Sequence, residues 1–157
     1  MAETPPTFLQ PSRTERIFNR LYGWLVGHGL GMRHNYQLQV RGRKSGKIYS
    51  TPVNVLERAS GRFLIAPRGD TQWVRNARAA GVVTLKKGSR SLVFRVREVP
   101  DEKKNELLKA YLDSFKTTVQ RYFPIPAGSS PDAFARIAGQ YPVFELLSLS
   151  NTDSAGA

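Results

Sequence analysis

The chain has 157 residues, 40% of them hydrophobic, which is enough for one domain with a single sizeable core. Its 24 Lys and Arg against 12 Asp and Glu leave a net charge of +12, a field that gathers nucleic acid, an anionic membrane, an acidic metabolite or a multiply charged cofactor. The absence of cysteine excludes disulfides, thiolate metal sites and thiol nucleophiles, and no apolar run approaches the roughly 18 residues of a membrane span.

Residues 1–12 and 151–157 are polar or small and read as tails around one domain spanning 13–150. The opening Met-Ala-Glu-Thr-Pro-Pro-Thr lacks the charged and apolar regions of a signal peptide, so a cytoplasmic location is expected. From Thr14 to about Gly27, Ile17, Phe18, Leu21, Tyr22, Leu25 and Val26 recur at helical spacing, with Arg13, Arg16 and Arg20 opposite. Such a helix either packs on the rest of the domain or lies on the inner face of an anionic membrane. Gly27, Gly29 and Gly31 stop it.

The period then changes to that of strands. Tyr36 to Val40 alternates, and Thr51 to Leu56 and Arg62 to Ala66 form a pair around a turn at Glu57 to Gly61. Thr71 to Ala80 fits a short helix, with Trp73, Val74 and Ala77 on one face. Val82 to Leu85 and Ser91 to Val99 form a second hairpin. Pro100 introduces a helix over Asp101 to Phe115, Pro131 another over Asp132 to Ala138, and Tyr141 to Leu149 closes as a strand. Hairpins without regular crossover helices argue against a doubly wound sheet. They predict a mainly β fold with peripheral helices, an antiparallel barrel of about six strands whose closure removes exposed edges.

Two segments carry chemistry. In Arg41-Gly42-Arg43-Lys44-Ser45-Gly46-Lys47 the glycines permit a tight turn whose amides can face an anion, while Arg43, Lys44 and Ser45 add charge and a hydroxyl. The spacing is not that of a Walker A loop. From composition alone the segment is equally a solvated basic turn. In Ala66-Pro67-Arg68-Gly69-Asp70-Thr71-Gln72-Trp73-Val74-Arg75-Asn76, a strand ends in a turn and a helix begins, with Asp70 or Thr71 as cap and free amides that favour anions. Trp73 is placed either to stack on a flat ring or to plug the core.

Together these segments, with Thr51-Pro52-Val53 and Tyr141-Pro142-Val143-Phe144, resemble the deazaflavin-dependent nitroreductase family, within the flavin and deazaflavin oxidoreductases, which use coenzyme F420 on a split β-barrel. The similarity runs from about Leu38 to Phe144. It implies that Arg43, Lys44 and Ser45 hold the cofactor's phosphate, that Gly46 belongs to the same cofactor-binding turn, and that Pro52 and Val53 floor the ring. It further implies that Ala66, Pro67, Arg68 and Gly69 approach the deazaflavin edge, and that Trp73 and Asn76 clamp the distal end. This chain has Tyr49 where many relatives have arginine, and Arg68 where they often have lysine or serine. Split barrels often pair, so a homodimer is an expectation from the resemblance.

The charge agrees with such a ligand, because Arg41, Arg43, Lys44, Lys47, Arg68, Arg75 and Arg78 can oppose a phosphodiester and a glutamate tail. Hydride chemistry carried by the cofactor also asks little acid and base equipment of the protein. That fits a chain with only His28 and His34 and no carboxylate pair or triad spacing. Tyr111, Phe115, Tyr122, Phe123 and Trp24 are the expected acceptor wall, with Tyr122 beside Arg121 the candidate proton donor. The expected partner is a small electron-poor molecule: a quinone, a nitroaromatic or an unsaturated ring. Competing readings are an FMN-dependent reductase on the same barrel, a lipid- or fatty-acid-binding module at a membrane, and a nucleic-acid binder built on Tyr36, Tyr49 and Phe63.

Overall fold

The structure is a computed structural model that describes residues 34–149. The expected helix over 14–27, Trp24, His28 and both tails lie outside the described residues. Six strands form β1 (Asn35–Arg41), β2 (Ile48–Arg58), β3 (Gly61–Ile65), β4 (Val82–Lys87), β5 (Arg90–Glu98) and β6 (Val143–Ser148). Among the described residues two α-helices, α1 (Gln72–Ala80) and α2 (Asn105–Val119), stand between them. Every strand pair is antiparallel, and the order β1-β2-β3-β6-β5-β4 closes when β4 returns to β1, pairing Leu38 with Leu85. The expected barrel is therefore the observed one. Closure leaves no strand in the ring with an unpaired edge.

Alternation fills the interior. Leu38, Val40, Val55, Leu64, Phe94 and Phe144 point into the barrel, and α1 presses Val74 and Ala77 against them, both fully buried. In β3 both faces are used: Leu64 faces inward, while Phe63 and Ile65 face out beneath Leu108 and Leu112 of α2. This explains why its sequence lacks polar alternation. The second core, between the barrel wall and α2, is completed by Phe134, Tyr141 and Val143.

Two helices differ from expectation. Over Asp132 to Ala138 the chain forms two 3-10 turns instead of one helix, Pro131–Phe134 and Ala138–Gln140, with Ile137 N–H donating to Phe134 carbonyl at 3.1 Å. Seven residues are too few to hold an α-helix by local bonds, and burying Phe134 completely sets the tighter winding. The helix expected from Asp101 instead starts at Asn105 and runs to Val119, past Phe115, where the backbone leaves helical geometry (φ −119°, ψ 22°). Its start is displaced because the Lys104 side chain turns inward, bonding Asp101 at 2.7 Å and the Ala138 carbonyl at 3.2 Å. Its extension brings residues 116–119 to the cleft described below. Among the described residues, no helix is long and apolar enough to cross a membrane.

Candidate active site

The β1–β2 connection is a six-residue turn, closed where Arg41 pairs with Ile48. Gly42 N–H donates to the Lys47 carbonyl at 2.7 Å and Gly46 N–H to the Gly42 carbonyl at 2.9 Å, with Gly46 at φ 71°. Gly42 is required for a different reason. A Cβ there would lie 2.5 Å from Cε2 of Tyr49 and 2.7 Å from Oγ of Ser45. Tyr49 lies over this glycine, with its hydroxyl 3.1 Å from Ser45 Oγ, so the residue that departs from the family pattern braces the turn. Ser45 Oγ also accepts from Lys47 N–H at 3.2 Å.

The turn is anchored to α1 by one buried carboxamide. Asn76 Oδ1 accepts the backbone N–H of Arg43 at 3.1 Å and its Nη1 at 2.8 Å, and Nη1 also donates to Gln72 Oε1 at 3.0 Å. Four of the turn's amides, those of Gly42, Arg43, Gly46 and Lys47, are thus used within the protein. The cradle expected of the whole turn narrows to the amides of Lys44 and Ser45.

Between this turn, α1 and the end of α2 lies a cleft of about 1310 Å³. Of the residues singled out in the sequence, Arg43, Lys44, Ser45, Pro52, Val53 and Ala66 border it, as do Pro67, Arg68, Trp73, Asn76 and Tyr122. Gly46 and Gly69 do not. Gly69, at φ 86°, instead shapes the bend that leads into α1. The expected caps are also absent: no side chain caps α1, Asp70 is bound to Arg75 and Arg78, and Thr71 Oγ1 is buried without a hydrogen-bond partner.

Of the aromatics expected to form an acceptor wall, fewer reach the cleft than the sequence suggests. Phe123 stacks on Tyr141 with ring centroids 4.4 Å apart, and Phe115 packs on Tyr111 and on the edge of His34. Neither Phe115 nor Phe123 borders the cleft, whereas Tyr122 and Tyr111, the latter itself a core residue, do. Tyr122 hydroxyl accepts from Arg121 Nη2 at 2.7 Å, and the guanidinium also lies 4.8 Å from the ring centroid. Arginine can only donate, so the phenolic proton of Tyr122 is left to give to a ligand. Tyr111 is 2% exposed and hydrogen-bonded to Asn54; burial raises its pKa beyond the usual phenol value, and it stays protonated.

Charge in the cleft is one-sided. Arg43, Lys44, Arg68, Lys116 and Arg121 line it, and no Asp or Glu does. Arg75 and Arg78 were expected to join them but are paired outside it: Arg75 with Asp70 at 3.2 Å, Arg78 with Asp70 at 2.7 Å and with Glu98 at 2.6 Å. Arg41 is spent on the Gly46 carbonyl. Lys116 lies just past the helix expected over Asp101 to Phe115; the run Lys116-Thr117-Thr118-Val119, free of Gly and Pro, is the sequence signal that the helix continues. Among the described residues no group of three or more metal-ligating side chains exists.

A closed six-stranded antiparallel barrel with helices at its periphery is the framework of a split barrel, and its cationic cleft suits an anionic ligand. The family model of the F420H(2)-dependent quinone reductase matches residues 12–124, more than half of the chain. The chain belongs to that family: it is an oxidoreductase whose cofactor is the deazaflavin. No curated protein matched the sequence. Among solved structures, a chain described as a domain-swapped dimer is 21% identical, with a TM-score of 0.52 over 85% of this chain and 93% of that one. A protein of unknown function from Agrobacterium tumefaciens is 16% identical, with a TM-score of 0.54 over 91% of this chain but 59% of its own. An F420-H2 dependent reductase is 18% identical with a TM-score of 0.48, over 73% and 94%. At these identities the first two support the fold alone.

The buried Tyr111 phenol makes stability pH-dependent in the alkaline range. Its pKa is raised in the fold, so below about pH 10 both folded and unfolded chains hold the proton; above it the unfolded chain ionises first, and stability falls. Denaturant unfolding of Tyr111→Phe should show a shallower loss above pH 10, by up to about 1.4 kcal/mol per pH unit. Equal slopes in the two proteins would contradict this.

Proposed function

We propose that the protein transfers hydride from the reduced deazaflavin to an electron-poor small molecule, a quinone first and a nitroaromatic or unsaturated ring next. The observation that carries this reading is the cleft itself: five cations without a carboxylate, leading from a basic turn to a floor of Pro52 and Val53 and on to two phenols. The residues fit the group. Arg43, Lys44 and Ser45 hold its phosphate, with Arg43 fixed in place by Asn76 and Gln72. Pro52 and Val53 would support the ring, Ala66 to Arg68 would meet its edge, and Trp73 would cover the distal end, all of them residues that line the cleft.

The bound deazaflavin supplies the hydride, and the protein's part is to bind, orient and keep water out. Tyr122 gives its phenolic proton to the acceptor oxygen while Arg121 steadies the phenol oxygen as the proton leaves. Tyr111, held protonated by burial, forms the neutral wall beside it.

Oxidised deazaflavin fluorescence should be quenched on titration with the protein at micromolar concentration, and Lys44→Ala should weaken that binding several-fold. A flat titration with the unmodified protein would sink the reading. Tyr122→Phe should lower kcat with quinone acceptors by about 10² while leaving cofactor affinity nearly unchanged. Unchanged turnover on every accepted substrate would remove Tyr122 from the mechanism.

A further inference from the structure

Thr71 occupies the N-cap position of α1 yet does not cap it. The residue is 7% exposed, borders the cleft, and its Oγ1 is the buried side-chain polar atom without a hydrogen-bond partner among the described residues. A buried hydroxyl with no partner is costly, and such atoms are few in folded proteins. The neighbouring main chain is in a similar condition. The nine-residue α1 has no acidic residue in its first turn and no side-chain cap, and the carboxylate of the preceding Asp70 is taken by Arg75 and Arg78, so no side chain bonds its leading N–H groups.

Arg43 leans on the same turn. Its Nη1 donates to Gln72 and Asn76, both on α1, which fixes the guanidinium at one nitrogen and keeps Nε and Nη2 to offer an oxyanion. The helix N-terminus and the fixed guanidinium therefore share one stretch of the cleft wall, and Thr71 stands at the same turn with its hydroxyl turned to the buried side. Phosphate oxygens suit this set better than a neutral carbonyl, because a full negative charge draws on all three.

We propose that the first turn of α1 is an oxyanion seat in which Thr71 hydroxyl donates to a phosphate oxygen, turning about χ1 from its buried position when the ligand arrives. The seat rests on the deazaflavin reading for the source of that phosphate, a phosphodiester. It adds to that reading a binding residue outside the basic turn. It also gives Thr71 a distinctive energetic signature: a hydroxyl that is idle in the empty protein and engaged in the bound one.

The test compares the full chain with Thr71→Val and Thr71→Ser. Each is titrated with the oxidised phosphodiester-bearing deazaflavin, with its ribityl form lacking phosphate, and with inorganic phosphate followed by tryptophan fluorescence; Tm is measured without ligand. Valine should weaken the phosphodiester form on the order of tenfold. It should change the ribityl form by less than twofold and leave the ligand-free Tm equal or higher, since an unpaired buried hydroxyl has been removed. Serine should bind as the natural residue does.

Equal weakening of both deazaflavins, no weakening of either, or a lowered ligand-free Tm in Thr71→Val overturns the seat; the last result would make the hydroxyl a structural cap. If the unmodified protein binds neither deazaflavin, the cofactor reading fails. The phosphate arm then decides the seat alone: a response lost in Thr71→Val upholds it, and a response indifferent to Thr71 overturns it.

Discussion

Asn76 accepts the backbone N–H and the guanidinium of Arg43 through one oxygen, and it does so from a nearly buried position on α1. Without that carboxamide the β1–β2 turn would be tied to α1 only through the exposed bond from Arg43 to Gln72, beyond its own base where Arg41 meets Ile48. With it, the turn and the helix form one wall, and the cations of the turn stand at a fixed distance from the floor laid by β2. The cleft exists because the barrel places α1 across the end of β1. Val74 and Ala77 are the apolar feet that hold the helix there.

The electrostatics follow from that arrangement. Charges on the outward part of α1 are consumed by Asp70 and Glu98, whereas those of the turn and of the end of α2 have no carboxylate facing them across the cleft. A net charge of +12 describes the whole molecule, and the pairing decides where it acts. A cleft with this field and an apolar floor favours a ligand that is anionic at one end and flat at the other, which is the form of the family's cofactor.

Most of the barrel was legible in the sequence because alternation is imposed by the pleat itself: Leu38 and Val40 face in, Gln37 and Gln39 face out, and no distant contact is needed to say so. The basic turn and the Trp73 to Asn76 segment were legible as glycine punctuation and as resemblance. What escaped was set by tertiary contacts. Lys104 delays α2 because a carbonyl 34 residues away accepts its ammonium. Phe134 exchanges a helix for 3-10 turns by entering the core. Arg78 leaves the site because Glu98 lies beside it in space but 20 positions on. Tyr49 looked like a missing cation and is a brace over Gly42, a role visible only once the two strands are paired.

In this reading one phosphate-bearing ligand bridges the β1–β2 turn and the first turn of α1. Amide hydrogen exchange of the full chain, with and without oxidised deazaflavin, tests it directly. Protection on binding should concentrate at Lys44 and Ser45 and at Gln72 and Trp73, and the β4–β5 turn around Gly88 should not respond. Protection at that distant turn, with none at Lys44 or Gln72, would contradict it.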